Sequence, residues 1–168
     1  MLRFGAFILC LFASLGSLPA YAQEAKQNGD GKIAIAKFNY SSWTTGIFSE
    51  AVTVTGIGNA KIVYLAGIGA EDEDGPRGNI RYPGDFAQQC RYAYDKIKRA
   101  LAKNGASLAN VVKVTTYMTD LRYRLDMGKC IGESWGNVTF PAHTLIGVAA
   151  LAFPQMIIEV DATAIVDK

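Results

Sequence analysis

The sequence predicts an α+β fold, a two-layer sandwich in which one mixed β-sheet has two helices on one of its faces. Strand-like and helix-like segments follow one another in the order β, β, β, α, β, α, β, β along the 168-residue chain. The last segment, residues 156–166, alternates between an apolar face and a face of mixed polarity. Only the apolar face needs cover from helices, so both helices are expected on the same side of the sheet.

The composition is that of one folded domain with nearly balanced charge. Half of the residues are hydrophobic (50%) and 11% are aromatic, which excludes a disordered chain. The 17 Lys and Arg against 15 Asp and Glu give no basic excess for a nucleic-acid binder that neutralises phosphates. A single histidine excludes a metal site built from several histidines. We therefore expect neither a nucleic-acid partner nor a bound metal.

Residues 1–22 are typical of a secretory signal peptide that is cleaved after Ala22. Arg3 gives a positive start, residues 4–15 are almost continuously apolar, and Ala20-Tyr21-Ala22 supplies the small-x-small cleavage pattern. About a dozen apolar residues are too few to cross a hydrocarbon core of roughly 30 Å. The sequence therefore predicts export to the periplasm with no membrane attachment after cleavage. An N-terminal anchor that stays uncut is the alternative.

The exported chain is expected to begin with a flexible tail, residues 23–31, and to continue as a single domain, residues 32–168. The first part of this domain is predicted to contain three strands and the charged tip of a hairpin. These elements and their connections are strands at 32–38, 48–54 and 61–68 (the last one buried), a loop at 41–45, a turn at 57–60 and the tip at 71–75.

The first helix is predicted to start after Asp85. Asp85 can cap the helix, Gln88 completes a capping-box pattern, and Gly105 is well placed to end it. Small and apolar residues recur at helical spacing on one face, namely Phe86, Cys90, Ala93, Tyr94, Ile97, Ala100 and Leu101. This face is expected to pack on the sheet.

The second half of the domain is predicted to contain a β-branched strand, a second helix and two further strands, at residues 111–119, 122–135, 144–151 and 156–166. Gly128 and Gly132 lie inside the second helix, where each costs about 1 kcal/mol relative to alanine. Glycines in that position indicate that something packs closely against the helix backbone.

The last strand divides its side chains into two sets. One set is apolar and suits packing beneath helices: Ile158, Val160, Ala162, Ala164 and Val166. The other set mixes carboxylates with isoleucines: Ile157, Glu159, Asp161, Thr163 and Ile165. A face of that kind is neither a dry core nor an ordinary solvated surface, so a second copy of the chain is expected to cover it.

Two cysteines remain after cleavage, Cys90 and Cys130, and both lie in predicted helices. No CxxC spacing joins them into a redox motif. In an oxidising compartment they could pair with each other. We favour the interpretation that they are two separate, small, buried hydrophobic side chains.

No generic catalytic signature is present, and two GxG fragments, at 56–58 and 67–69, do not continue into a phosphate-binding fingerprint. The strongest local feature pairs His143, at the start of one strand, with Glu159 on a neighbouring strand. These two side chains are expected to face one pocket. The simpler alternatives are a loop histidine with an ordinary hydrogen bond and a carboxylate in an ion pair at a subunit interface.

Several segments together resemble the Rid/YjgF family, formerly described as endoribonuclease L-PSP proteins. GIFSEAV at 46–52 is similar to the family's GPYSQAV segment, and YLAGI at 64–68 is similar to its strand ending in SGQ. The C-terminal part is more similar still, with Phe140-Pro141-Ala142, GVAAL at 147–151 and IEVDA at 158–162. The resemblance extends over nearly the whole mature domain.

This resemblance implies a chorismate-mutase-like α+β domain that forms a homotrimer, with three ligand clefts between its subunits. Active members of the family hydrolyse reactive enamines and imines such as 2-aminoacrylate to ammonia and a 2-keto acid, with no metal and no organic cofactor. An arginine in the family's PAR motif binds the carboxylate of the substrate. A glutamate in the last strand helps to position water, which makes Glu159 the candidate catalytic residue here.

The sequence departs from the family pattern at several positions that line this cleft. The candidate ligand-binding residues are His143 in place of the arginine, Phe48 in place of a tyrosine, Ile68 in place of a glutamine, Gly128 in place of an asparagine, and Gly67. Arginine offers a permanent charge and a bidentate fork, whereas histidine offers one donor and titrates near pH ~6.5. If His143 takes over from arginine, affinity for a carboxylate should increase below about pH 6.5.

Two functions are compatible with these observations. The first is an exported imine or enamine hydrolase with an altered substrate range, acting on small imines or molecules similar to 2-keto acids. The second is a non-catalytic trimer that binds a small molecule in the same cleft. Losing a bidentate carboxylate contact typically costs a few kcal/mol, so 2-aminoacrylate is expected to be deaminated slowly or not at all. A nuclease is not supported, because the chain has neither a basic patch nor a second histidine.

Overall fold

The computed structural model describes residues 33–39, 46, 48–49 and 51–167. The predicted signal peptide, the predicted tail and the loop at 41–45 lie outside these residues, so they stay predictions.

Six strands form two sheets in the described part of the chain. β1 (Ala34–Phe38) and β2 (Ala51–Thr55) make an antiparallel pair. The main sheet contains β3 (Ala60–Gly69), β4 (Val111–Met118), β5 (Ala142–Gly147) and β6 (Ile158–Asp167), side by side in the order β3-β6-β4-β5. β4 and β5 are parallel and β6 is antiparallel to both of its neighbours, so the sheet is mixed, as predicted.

β5 occupies a different range from the predicted strand at 144–151. It starts at Ala142 and ends at Gly147. Its partner β4 ends at Met118, and the last contact between them is the bond from Val148 N to Met118 O, at 2.9 Å. Because β4 ends at Met118, the chain after Val148 has no neighbouring strand to pair with. The apolar residues that follow therefore leave the sheet.

Two helices lie on one face of the main sheet, as predicted. α1 (Phe86–Lys103) begins where the Asp85 side chain accepts a hydrogen bond from Gln88 N, at 3.0 Å, and Gly105 follows its end with a φ of +73°. α2 (Arg124–Trp135) follows a short 3₁₀ turn. None of the helices in the described residues is long and apolar enough to cross a membrane.

The core lies between the helices and the apolar face of β6. This face is buried as predicted, at Ile158, Val160, Ala162, Ala164 and Val166. The helical spacing did not include Gln89, yet Gln89 is fully buried in α1. Its amide nitrogen donates to Tyr82 O and Gln155 O, and its Oε1 accepts from Ile157 N, so the buried amide is satisfied. It attaches α1 to the loop that leads into β6.

Cys90 and Cys130 form a disulfide between α1 and α2, with Cα atoms 6.4 Å apart. The interpretation of two separate cysteines was therefore wrong. The two residues are 40 positions apart in sequence, and only the packing of both helices on one face of the sheet brings them together. Both cysteines are buried, so the bond lies within the helical layer.

β3 is exposed, contrary to the prediction of a buried strand. It lies at one edge of the main sheet, and only Val63 and Gly69 are buried. Ile62 and Tyr64 project from the face opposite the helices, with 45% and 76% of their surface exposed. The apolar run is present, but no layer of the described residues covers its outward half.

The charged hairpin at 71–80 is attached to α1 and is therefore more than a solvated tip. Lys96 Nζ donates to the backbone oxygen and to Oε2 of Glu71, each at 2.9 Å. Asp72 accepts from Arg81 Nε, also at 2.9 Å, across the hairpin. These contacts fix the end of β3, which carries Gly67 and Gly69 past Glu159.

Candidate functional site

His143 and Glu159 lie on opposite faces of the main sheet. His143 on β5 is beside Val114 on β4, and Val114 is beside Ala162; both neighbours are buried under the helices. Glu159 on β6 is beside Tyr117 on β4. Because successive side chains of a strand alternate, positions 114 and 117 point in opposite directions. Within one chain the two candidate residues therefore do not face one pocket, contrary to the expectation.

His143 is held on the helix side of the sheet. Its Nε2 atom lies 2.9 Å from Oγ1 of Thr116, which is fully buried. Burial, with a smaller contribution from the positive charge of Lys113, lowers the pKa of His143 from 6.5 to about 4. The expected gain of charge near pH 6.5 is therefore contradicted. A neutral imidazole cannot replace the arginine as a cation.

An open cleft of about 230 Å³ adjoins His143 and is here called the His143 cleft. It is lined by Gly46, Met127, Gly128, Ile131, Gly132, Phe140 and His143. A Cβ atom at Gly128 or Gly132 would meet no atom of the described chain within 4 Å. The expectation that something packs on these glycines is thus not met among the described residues. They leave room beside the cleft instead.

Phe48 lies beside this cleft and not inside it. It lines a neighbouring groove of about 230 Å³ that shares Gly46 and Phe140 with the His143 cleft. The backbone oxygen of Phe48 accepts from Asn39 Nδ2 at 2.7 Å. Ser49, which the sequence did not single out, is buried and donates through its hydroxyl to Phe140 O at 2.6 Å. These bonds hold the segment against the start of β5.

Glu159 extends over Gly67 on the open face of the sheet. An added Cβ at Gly67 would lie 1.8 Å from Glu159 Oε1 and 2.6 Å from its Cδ, so only glycine leaves space for this carboxylate. Burial raises the pKa of Glu159, and the nearby carboxylates of Glu71 and Asp161 raise it further. The sequence predicted both residues as site residues, and the structure brings these two together.

Tyr117 and Asp161 complete the surroundings of Glu159, although neither was predicted as a site residue. Tyr117 donates its hydroxyl to Asp161 Oδ2 at 3.0 Å, and this hydrogen bond raises the pKa of Tyr117. The alternation of β6 already places residues 159 and 161 on one face. Tyr117 could not be found in this way, because its position depends on the register between β4 and β6.

Ile68 belongs to the core and not to the site. A register shift between Leu65 and Ile68 pairs Ile68 with Val160, and Ile68 packs against the buried cluster beneath the helices. The family's glutamine position is therefore occupied by a core residue in this chain. No group of three or more His, Cys, Asp or Glu side chains in the described part of the chain is arranged to hold a metal ion.

Comparison with known proteins gives one consistent result. The family model described as endoribonuclease L-PSP matches residues 43–166. A RutC family protein of Pyrococcus abyssi is 34% identical over 119 residues, which cover 71% of this chain and 86% of that protein. Among solved structures, YyfB of the Rid family from Yersinia pestis has a TM-score of 0.69 at 25% identity, covering 80% of this chain and 99% of that one. RidA from Psychrobacter has a TM-score of 0.56 at 26% identity, covering 72% and 89%.

Proposed function

Since the chain belongs to the Rid/YjgF family, we propose that it is a divergent Rid-type imine or enamine hydrolase whose acid–base residue is Glu159. The observation that carries this proposal is the position of Glu159. Its carboxyl group lies over the bare backbone of Gly67, where burial and, to a smaller extent, two neighbouring carboxylates raise its pKa above the ordinary value. A carboxyl group in that state can serve both as a proton donor and as a proton acceptor.

Imine hydrolysis needs only water and proton transfer. A protonated Glu159 donates a proton to the imine nitrogen, or to the β-carbon of an enamine, which converts the enamine to an iminium ion. The resulting carboxylate accepts a proton from the water that adds to the carbon, which gives a carbinolamine. Glu159 then passes this proton to the amino nitrogen and takes up the hydroxyl proton, so that ammonia leaves as the carbonyl forms. Tyr117 and Asp161, which are hydrogen-bonded to each other, flank this carboxyl group on the open face.

We expect Glu159→Gln to lower the rate of imine hydrolysis by about 100-fold, because the amide can neither give up nor accept the proton. Gly67→Ala should lower the rate similarly, since the added Cβ forces the carboxyl group away from its position. Ammonia release from freshly generated imines measures both rates. Glu133→Gln is the matched control, because Glu133 is exposed on α2 and pairs with Arg91 far from this face. Unchanged hydrolysis by Glu159→Gln would contradict the proposed role.

The substrate range is proposed to differ from that of relatives that retain the PAR arginine. His143 is neutral and tied to Thr116, so it cannot pair with a substrate carboxylate as a guanidinium does. Deamination of 2-aminoacrylate is therefore expected to be slow or absent. The same ammonia assay measures this rate beside that of imines without a carboxylate.

We further propose that three copies of the chain assemble with their open sheet faces inward. The open face carries Ile62, Tyr64 and Ile146, with 45%, 76% and 38% of their surface exposed, next to the partly buried Glu159. Apolar side chains on a face with no covering layer favour association with a second copy. The resemblance to the family supports a trimer as the closed form.

Tyr64→Glu is expected to convert this trimer to monomers, because it replaces the most exposed apolar side chain of the proposed interface by a charge that association would bury. Light scattering measures the mass. Leu125→Glu is the matched control, since Leu125 is also 76% exposed but lies on α2, on the helix side of the sheet. A wild-type protein that is monomeric at micromolar concentration would contradict the proposed assembly.

Export to the periplasm is proposed from the N-terminal sequence pattern, and the Cys90–Cys130 disulfide supports it. Structural disulfides persist in oxidising compartments and are rare in the reducing cytosol. The chain would thus act on imines outside the cytosol, after cleavage following Ala22.

A non-catalytic trimer that binds a small molecule is the second candidate function. The placement of His143 and Glu159 on opposite faces favours it, because within one chain the carboxyl group does not reach the His143 cleft. The Glu159→Gln experiment separates the two functions. Wild-type protein that releases no ammonia above the rate in buffer, but binds a ligand, would identify the binding function.

A further inference from the structure

We propose that the His143 cleft binds an uncharged molecule of about one aromatic ring, bearing a neutral carbonyl or amide group, and that it discriminates against carboxylates. This proposal deepens the proposed function. It rests on that function because it takes the cleft to be a site where a ligand binds. It concerns the helix side of the sheet, whereas the catalytic role of Glu159 concerns the opposite face. The two proposals can therefore fail separately.

The walls of the cleft are apolar. Met127 and Ile131 project from one face of α2, and Phe140 closes the side next to β5. Phe140 also packs on Trp135, with ring centroids 5.8 Å apart, so this wall is fixed by the core. A rigid aromatic and aliphatic wall favours burial of an apolar ring, which is worth about 25 cal/mol for each Å² removed from water.

The polar group of the cleft is neutral. None of the described residues that line it carries a charged side chain, and His143 is its titratable member. The imidazole is half-buried, and the contact of Nε2 with Oγ1 of the buried Thr116 fixes the orientation of the ring. A neutral ring can exchange a hydrogen bond with an amide or a carbonyl. It offers a carboxylate no positive charge in exchange for the desolvation of the anion.

The size of the cleft sets the size of the ligand. Its volume is about 230 Å³, and it is open on one side. A dry cavity of about 150 Å³ is sufficient to hold benzene, so one substituted ring fits and two fused, substituted rings do not fit without protruding. Gly128 and Gly132 line the side formed by α2, where side chains of ordinary size would occupy part of this volume.

The glycines allow the cleft to be filled without damage to the fold. A Cβ at Gly128 meets no described atom within 4 Å, and leucine is favoured over glycine in a helix by nearly 1 kcal/mol. Gly128→Leu should therefore block the cleft while leaving α2 as stable as before or more stable. Lys129→Leu adds the same side chain to the same helix at an exposed position that does not line the cleft.

The test is calorimetric titration of benzamide and benzoate, which have nearly the same shape but differ in charge, into the folded full-length mature protein at neutral pH. Benzamide is expected to bind at least tenfold more tightly than benzoate. Gly128→Leu should weaken benzamide binding at least tenfold, and Lys129→Leu should leave it unchanged. His143→Arg should reverse the preference, because it restores a cation to the cleft.

Three results would overturn the proposal. They are benzoate binding as tightly as benzamide in the wild type, benzamide binding that Gly128→Leu does not weaken, and no benzamide binding at about millimolar concentration. Thermal unfolding of each variant confirms that it is folded before titration. Since no step of this test involves hydrolysis, a failure of the Glu159→Gln prediction would leave its result standing.

Discussion

Replacing Cys90 and Cys130 together by alanine is expected to lower the free energy of unfolding by about 4 kcal/mol. The disulfide closes a loop between residues 40 positions apart, and it restricts the unfolded chain more than the folded one. Both cysteines are buried between α1 and α2, so the alanine pair also removes packing atoms from the helical layer. Urea unfolding of oxidised wild type and of the double variant measures the difference.

The matched control is the reducing agent. Dithiothreitol should lower the stability of wild type towards that of the double variant and should leave the double variant itself unchanged. A wild type that has the same urea midpoint with and without reductant would contradict a structural role for the bond. The expected loss is a large part of the stability of a typical domain, roughly 5–15 kcal/mol. The protein is therefore expected to accumulate in folded form mainly in oxidising compartments.

Acidification from neutral pH to about pH 4 is expected to destabilise the protein by about 3 kcal/mol through His143 alone. The pKa of His143 is about 4 in the folded chain and 6.5 as its ordinary value, so the unfolded chain binds the proton first as the pH falls. His143 therefore takes nothing from the free energy of unfolding above pH 6.5. Below pH 6.5 the free energy of unfolding decreases as the pH falls towards 4. Urea unfolding across this pH range measures the loss.

His143→Gln isolates this contribution. Glutamine is uncharged at every pH, and its amide nitrogen can take the place of Nε2 opposite Thr116. Its unfolding free energy should therefore depend less on pH, by the same amount of about 3 kcal/mol. Glu159 contributes with the opposite sign, because its raised pKa makes the folded chain bind protons more readily. The contribution of His143 is therefore the difference between the unfolding free energies of wild type and His143→Gln at each pH. Equal pH profiles of the two proteins would contradict the prediction, because they would mean that His143 is protonated as readily in the folded chain as in the unfolded one.

The disulfide and His143 both lie in the layer between the helices and the sheet. Together they make the His143 cleft different from the cleft of a relative that carries the arginine. The disulfide fixes α2, which supplies Met127, Gly128 and Ile131 to the His143 cleft. Desolvation, with a smaller contribution from Lys113, lowers the pKa of the imidazole to about 4, and the contact with Thr116 orients the ring. The described lining of this cleft carries no charged side chain, whereas Glu159 and Asp161 lie on the opposite, open face of the sheet.

The positions of most elements, and the inward faces of α1 and β6, could be predicted from the amino-acid sequence alone. Local signals suffice for these: the cap at Asp85, the helical spacing of α1 and the alternation of residues 158–166 each depend on residues close together in the chain. The same alternation separated Glu159 and Asp161 from the core. Family similarity, carried by segments along the whole domain, then indicated the mixed sheet with two helices on one face.

Which residues far apart in the chain come together depends on strand register and helix packing, and it could not be predicted from the sequence. Val114 and Tyr117 lie on opposite faces of β4. Because the register pairs Val114 with His143 and Tyr117 with Glu159, the two candidate residues are separated by the sheet. The sequence gives no sign of this separation, since both residues belong to neighbouring segments of the family pattern. Helix packing joins Cys90 to Cys130. The charge state of His143 likewise depends on burial, which no spacing of residues encodes, because desolvation is a property of everything that surrounds the ring.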